Sequence, residues 1–196
     1  MRWAVSNLPG KLTYDASDGY LRILEESELG DGFWKVALLQ ELVSPSKRSP
    51  AFQIYLAALV SKGVRGFLSK SINVAQMIEG HGDMHHIVPK NYLIKNGFPK
   101  QGDYNQVANF ALTETPINIV IKDHPPQTYM PKVKSQCDTG ELSLGEITNL
   151  TDLQANLREN AIPDFIDTVT ADNYRDFLAA RRKLMAQMIR DYYEAL

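Results

Sequence analysis

The chain has 196 residues, of which 44% are hydrophobic and 22% are charged, and its formal net charge is −2. This length allows one or two domains with a core that needs no disulfide. The near-neutral charge argues against a dedicated nucleic-acid coat protein, so any nucleic-acid contact must come from a local patch. The single cysteine, Cys137, excludes an internal disulfide and a Cys-x-x-Cys zinc site.

Targeting signals are absent from the sequence. The N-terminus has neither the apolar segment nor the cleavage site of a secretory signal peptide. No apolar run is long enough for a membrane span, so we expect no membrane partner. Together with the low cysteine content, these features predict a soluble cytoplasmic protein.

The first part of the chain predicts a helical platform. Residues 1–32 are mixed in character and carry several turn signals. Apolar residues at helical spacing predict a helix from Phe33 to Val43, which the following Ser-Pro pair ends. The pair Ser49-Pro50 predicts the start of a second helix that runs to about Ser61. A third helix is predicted over 71–79.

The centre changes to strand-like composition. We predict a strand over 84–88, a long loop over 89–106 and a second strand over 107–112. The pair Thr115-Pro116 then predicts the start of a short helix that ends near Lys122. The predicted local order is strand, loop, strand and helix.

The C-terminal part is predicted to be helical after a loop-rich stretch over 134–150. Thr151 is the predicted cap of one helix, and Thr170 is the predicted cap of the last and most regular helix. The fold class is therefore α+β and mostly helical. The polar face of the last helix is predicted to carry Arg175, Arg181, Arg182, Lys183 and Arg190.

Two adjacent imidazoles, His85 and His86, lie in the first central strand. Successive strand residues point to opposite faces, so the two side chains can do different work. One can bind a metal while the other accepts a proton from water, the two functions that phosphodiester hydrolysis requires. Asn118 falls in the first turn of the following helix, where its oxygen can act as a ligand. Asn109, on the second predicted strand, can hydrogen-bond the histidine loop.

The sequence His85-His86-Ile87-Val88-Pro89, followed by Asn109 and then by Asn118 nine residues later, resembles the His–Asn–Asn form of the HNH, or His-Me finger, endonuclease motif. Over residues 35–196 the chain is further similar to the nuclease half of GmrSD-type modification-dependent restriction enzymes. This second resemblance is carried by four features in chain order: Asp83-x-His85-His86-Ile87-x-Pro89-Lys90-x-Tyr92-Leu93, Asn109, Pro125-Pro126-x-x-Tyr129 and Phe177-Leu178-x-x-Arg181-Arg182-x-Leu184.

The resemblance implies a role for each motif residue. His86 would be the general base, His85 the first metal ligand, Asn118 the second ligand and Asn109 the residue that orients the base. His85 stands where many members of the family have an acidic ligand, which leaves the choice of metal open. Mg²⁺ is the expected ion, with Mn²⁺, Ni²⁺ and Zn²⁺ as alternatives. Asp83 is read as a cap or a further ligand, with the structural role preferred.

The resemblance also implies a domain organisation. Residues 1–34 have no assigned role, and 35–196 form the nuclease domain. Within that domain we expect a helical platform over 35–80, a ββα-metal core over 81–124 and C-terminal helices over 125–196. The nucleotide-dependent sensing domain of the family is not recognisable here, so a partner chain would supply it or the chain is a portion of a larger protein.

The expected function is a metal-dependent DNA endonuclease that restricts modified or phage DNA, with a homodimer as one way to cut both strands. Two alternatives stay open: a non-catalytic nucleic-acid-binding or assembly module, and an RNA-directed nuclease. A cationic surface would bind the nucleic-acid backbone, and the candidates for it are Lys122, Arg181, Arg182 and Lys183. The alternative for the Arg181-Arg182-Lys183 run is a solvated helix face.

Overall fold

The structure, a computed structural model, describes residues 14–196. The chain divides into two compact units, Met1–Leu38 and Leu39–Leu196. In the first unit, helix α1 spans Tyr14–Glu28 and a π-helical turn spans Phe33–Ala37. One of the turn signals in residues 1–32 is Asp18-Gly19, and both residues lie inside α1, so the turn predicted there was wrong. Residues 1–13 lie outside the part of the chain that the structure describes.

Of the predicted platform helices, only the one opened by Ser49-Pro50 begins where the sequence predicts. The helix predicted from Phe33 is the π-helical turn followed by a short α-helix, and the one predicted over 71–79 begins at Val74. Helix α2 spans Leu38–Glu41, and α3 spans Pro50–Ser61 with proline in its first turn. Helix α4 is only Val74–Gln76, opened by a capping box between Asn73 and Gln76. It continues as a π-helical turn over Met77–His81.

Two short antiparallel strands and a helix form the centre of the second unit. Strand β1 (Asp83–His86) pairs with β2 (Phe110–Thr113), with His85 opposite Ala111 and His86 opposite Phe110. Residues 107–109 form a 3-10 turn instead of the predicted start of β2. Helices α5 (Lys90–Lys95) and α6 (Gln101–Tyr104) lie between the strands. The predicted loop over 89–106 was therefore wrong: Pro89 starts a helix, and α5 buries Leu93 in the core.

After β2, helix α7 spans Thr115–Ile121, and α8 spans Pro126–Thr139. Helix α8 overturns the loop predicted over 134–139, because its face carries Val133 and Gln136 into the interior. Helix α9 spans Leu150–Glu159, with Asn149 instead of the predicted Thr151 as its cap. The last helix, α10, spans Tyr174–Glu194 and begins after Asn173, not after Thr170.

Packing of α10 sets the position of the strand pair. It contacts α3 and the 3-10 turn that leads into β2. The aromatic side chains Phe52, Tyr55, Phe110 and Phe177 are almost fully buried and form the core of the second unit. Within residues 14–196, every helix is too short or too polar to cross a lipid bilayer.

Candidate active site

His85 faces the first turn of α7. Its Nδ1–H donates a hydrogen bond to Oδ1 of Asn118 over 2.7 Å. Asp83 orients the Asn118 amide, because Nδ2 of Asn118 donates to Asp83 Oδ2 at 3.3 Å. Asp83 and His85 are two positions apart on β1 and so share one face of the strand. The two predicted ligands therefore lie together, with a carboxylate beside them.

His85 is only 3% exposed, and burial fixes its charge state. The pKa of His85 is lowered to about 4, chiefly by desolvation; the Asn118 hydrogen bond and Asp83 act in the opposite direction, and the nearby His86 ring adds to the lowering. The imidazole is neutral at pH 7. Neutral imidazole is the form that binds metal ions.

The His85–Asn118 pair has the spacing that a small divalent cation needs. Two ligands that meet a cation at right angles with bonds of about 2.1 Å lie roughly 3 Å apart. The 2.7 Å separation of His85 Nδ1 and Asn118 Oδ1 is close to that value. His85 Nε2 is buried without a hydrogen-bond partner among the described residues. A metal on Nδ1 would move the ring proton to Nε2, and the metal–ligand bonds would have to offset the cost of that buried, unpaired N–H, about 1–3 kcal/mol. These residues fit a divalent metal.

Within the described part of the chain, no group of three or more His, Cys, Asp or Glu side chains is placed to hold a metal. A site at His85 would therefore depend on the Asn118 amide oxygen and on ligands from outside the protein, such as water or a phosphate. The donor set is one nitrogen and one neutral oxygen, with the Asp83 carboxylate adjacent. Such a mixed set is compatible with Mg²⁺ and also with softer ions such as Mn²⁺ and Zn²⁺.

The His85 ring packs against the loop over 66–68, and Asn156 hydrogen-bonds the backbone of that loop. The Phe67 ring stacks on the His85 ring with centroids 6.2 Å apart. Asn156, which is fully buried, accepts a hydrogen bond from Leu68 N–H at 2.9 Å and donates to the Gly66 carbonyl at 2.9 Å. These bonds fix the wall behind the imidazole, so His85 has little freedom to move away from Asn118.

His86 points to the other face of β1 and has a different partner. Its Nε2–H donates to Asn105 Oδ1 over 2.9 Å. This bond places the ring proton on Nε2 and leaves Nδ1 with a free lone pair. Asn105 is the C-terminal cap of α6, in the segment that the sequence predicts as loop. The sequence offered no signal for this residue, because its role depends on a fold of 89–106 that was not predicted.

Two aromatic rings surround the His86 ring. Phe110, its register partner on β2, lies with its centroid 5.0 Å away, and Tyr104 lies 6.3 Å away, both edge-to-face. Burial lowers the pKa of His86, and the ammonium groups of Lys47 and Lys90 lower it further, against the Asn105 hydrogen bond. His86 is therefore neutral at pH 7, the form that accepts a proton.

Asn109 braces the chain immediately after the histidines. Its side chain is fully buried; Oδ1 accepts from Val88 N–H at 2.9 Å, and Nδ2 donates to the Val88 carbonyl at 3.0 Å. The Asn109 carbonyl also accepts from Ile87 N–H at 2.9 Å. Asn109 lies on the 3-10 turn and not on β2 as predicted, yet its amide reaches the backbone of the histidine segment.

Tyr129 provides a further support from α8. Its hydroxyl donates to the Ile87 carbonyl at 3.0 Å, and the side chain is almost completely buried. Burial raises the pKa of Tyr129, so the hydroxyl keeps its proton and stays a donor. Ile87 is thus held through both backbone groups, by Asn109 on one side and Tyr129 on the other.

The prediction that Arg181 belongs to a cationic surface was wrong. The side chain is 1% exposed and cannot contact a nucleic-acid backbone. Its Nη1 donates to the carbonyls of Ala108 and Phe110 at 3.1 and 2.7 Å, and its Nη2 donates to the Asn160 carbonyl at 3.3 Å. Arg181 therefore ties α10 to the backbone on both sides of Asn109, a structural role inside the core.

The other three predicted cations differ in exposure. Arg182 is half-buried and donates to the Leu42 carbonyl and to Gln106 Oε1. Lys183 and Lys122 are exposed. Lys122 follows α7, which carries Asn118, whereas Lys183 lies on α10. The structure thus pairs His85 with Asn118 and sets Asn109 against Val88, just after His86. Among the predicted cations, Arg181 is buried beside Asn109, and Lys122 lies one helical turn after Asn118.

Sequence reasoning missed four residues around the histidines: Asn105, Tyr129, Lys47 and Lys90. Of these, only Tyr129 and Lys90 fell within the motifs quoted above, without an assigned role. Comparisons with models of protein families, with curated proteins and with solved structures found no match.

Proposed function

We propose that this protein is a metal-dependent DNA endonuclease of the HNH type that hydrolyses phosphodiester bonds. One observation carries the proposal: two adjacent histidines on β1 have separate polar partners, His85 with Asn118 and His86 with Asn105. A pair of histidines that served only packing would not need this division. The proposal assigns His85 to metal binding and His86 to proton transfer.

The arrangement of β1, β2 and α7 supports the same proposal. The two strands pair antiparallel, and α7 follows β2 closely enough to bring Asn118 to His85. We propose that this strand–strand–helix unit is the ββα-metal finger of the HNH fold. Its loop is braced by Asn109, which bonds both backbone groups of Val88.

The proposed reaction begins at Nδ1 of His86. This nitrogen takes a proton from a water molecule, and the resulting hydroxide attacks phosphorus in line with the departing 3′ oxygen. Asn105 keeps the ring in the productive tautomer and accepts from Nε2–H while the ring is charged. A divalent metal held by His85 and Asn118 would neutralise charge on the phosphate and on the leaving oxygen.

For the biological substrate we propose modified or phage DNA, in keeping with the resemblance to modification-dependent restriction enzymes. Selection of that DNA would require a nucleotide-dependent sensing domain or subunit. The net charge of −2 supports this division, because a protein that finds DNA by charge alone is usually basic.

The test is nicking of supercoiled plasmid across Mg²⁺, Mn²⁺, Ni²⁺ and Zn²⁺, with EDTA as the metal-free arm. The parent should nick in at least one metal and not in EDTA, and His86→Ala should lose the activity while remaining folded. His124→Ala is the matched control, because His124 is exposed and holds no place in the site. Absence of nicking in every metal, or full activity in His86→Ala, would overturn the proposal. Faster cleavage of RNA than of DNA would move the substrate class to RNA.

A further inference from the structure

Lys47 is the first of two lysines that lie near His86. Its Nζ lies 5.2 Å from the centroid of the Phe110 ring. The Phe110 ring in turn lies against the edge of the His86 ring, with centroids 5.0 Å apart. The side chain is exposed, so the ammonium rests on an aromatic face and still has donors free for an anion from solvent.

Lys90 repeats this arrangement from another segment of the chain. Its Nζ lies 5.2 Å from the centroid of the Tyr104 ring, and that ring lies 6.3 Å from His86. Lys90 is also exposed and begins α5, directly after Pro89. Each ammonium thus contacts an aromatic ring that in turn packs against His86, and these rings belong to β2 and α6.

Within the described part of the chain, neither ammonium has an acidic partner. The ion pairs found among the described residues include neither Lys47 nor Lys90. Two unpaired cations held beside a neutral imidazole form a local positive field on a chain whose net charge is −2.

We propose that Lys47 and Lys90 form a clamp around His86 that binds the backbone phosphates of a nucleic acid. The ligand class is a polyanionic phosphodiester chain, in which each strand of a duplex carries one charge per about 3.4 Å of helix axis. The clamp rests on the proposed function, because the phosphates that it would bind are those next to the cleaved bond.

The clamp supplies what the sequence-predicted cations lack. Arg181 is buried, and Arg182 is engaged with Leu42 and Gln106. Lys47 and Lys90, in contrast, combine exposure with proximity to the proposed base. Because each lysine already packs on an aromatic ring, it loses less conformational entropy when it binds an anion.

The test measures DNA affinity without cleavage. A fluorescein-labelled DNA duplex is titrated with protein in EDTA at several salt concentrations, and the slope of log affinity against log salt is determined by anisotropy. We expect Lys47→Gln and Lys90→Gln each to reduce the magnitude of this slope by about 0.9, the share of one phosphate contact. Lys47→Arg and Lys90→Arg should keep the slope, because they keep the charge.

Lys62→Gln is the matched control. Lys62 is an exposed lysine that directly follows α3, whereas Lys47 precedes it, and the 12-residue helix between them is about 18 Å long. Lys62 pairs with Asp191 at 3.8 Å. Slopes equal to the parent in both clamp variants, an equal loss in Lys62→Gln, or no DNA binding by the parent at low salt would overturn the clamp. A single-stranded RNA arm that shows the same losses would support backbone recognition that does not depend on the sugar.

Failure of the clamp and failure of the nuclease proposal give different results. If the parent binds DNA with the predicted slope changes but nicks plasmid in no metal, the clamp stands and the nuclease proposal falls. If the parent nicks plasmid and the slopes do not change, the clamp alone is wrong.

Discussion

Asn109 gives the sharpest prediction about how this site is built. Among the described residues, its side chain is the only hydrogen-bond partner of the Val88 N–H and of the Val88 carbonyl. It also donates to the Tyr104 carbonyl, but that carbonyl has a second donor in the Gln106 N–H. Asn109→Ala therefore leaves two buried backbone groups without partners. At about 1–3 kcal/mol for each group, partly relieved by relaxation, we expect a loss of roughly 2–4 kcal/mol in the free energy of unfolding.

The assay is urea unfolding followed by circular dichroism, combined with plasmid nicking under conditions in which the variant stays folded. Gln136→Ala is the matched control, because Gln136 is also a buried amide that braces a loop, bonding Leu144 N–H at 2.9 Å and the Ile147 carbonyl at 2.8 Å. Both variants should lose comparable stability, but only Asn109→Ala should lose nicking. The reasoning is refuted if Asn109→Ala unfolds at the same urea concentration as the parent, or if the folded variant nicks as fast as Gln136→Ala.

Three further predictions concern neighbouring groups. Asn105→Asp places a carboxylate on the His86 ring, which should raise the pKa of that ring and shift the acid limb of the cleavage pH profile to higher pH. Arg181→Ala should lower the free energy of unfolding by about 3 kcal/mol, since it leaves buried carbonyls unpaired and opens a cavity, while the salt dependence of DNA binding stays unchanged. The third is a pH effect: His85 has a folded pKa of about 4, below the unfolded value of about 6.5, so the unfolded state binds more protons between these values. Stability in EDTA should therefore fall as pH drops through this window, by up to about 1.4 kcal/mol per unit, and His85→Gln should reduce that slope.

The two central strands and several helix starts could be predicted from the sequence because local chemistry determines them. The Ser49-Pro50 pair begins α3, and Thr115-Pro116 lies in the first turn of α7. The alternation of strand side chains correctly separated His85 from His86, which have different partners on opposite faces of β1.

The burial of Arg181 could have been inferred and was not. Arg181 lies four positions after Phe177 and four before Met185, both of which are fully buried, so helical spacing places it on the apolar face of α10. The run of three cations suggested a surface, but charge type alone does not decide which face a residue occupies. A buried guanidinium is tolerated here because three backbone carbonyls accept its hydrogen bonds.

Asn105 and Lys47 could not have been found in this way. Lys47 lies far from His86 in sequence, and its place near the ring depends on how the segment before α3 packs beside β2. Asn105 reaches His86 only because α5 and α6 fold in the stretch that resembled a loop. Such contacts depend on tertiary packing, which local patterns do not encode.

The claim that His86 takes the proton from the attacking water is tested most directly by single-turnover plasmid cleavage in Mn²⁺, with and without added imidazole. We predict that His86→Ala lowers the rate by about 10²–10⁴-fold, the usual contribution of a positioned general base. Imidazole should restore part of the rate, and the restored rate should rise with the unprotonated fraction of the imidazole. Cleavage by His86→Ala as fast as by the parent would contradict the claim.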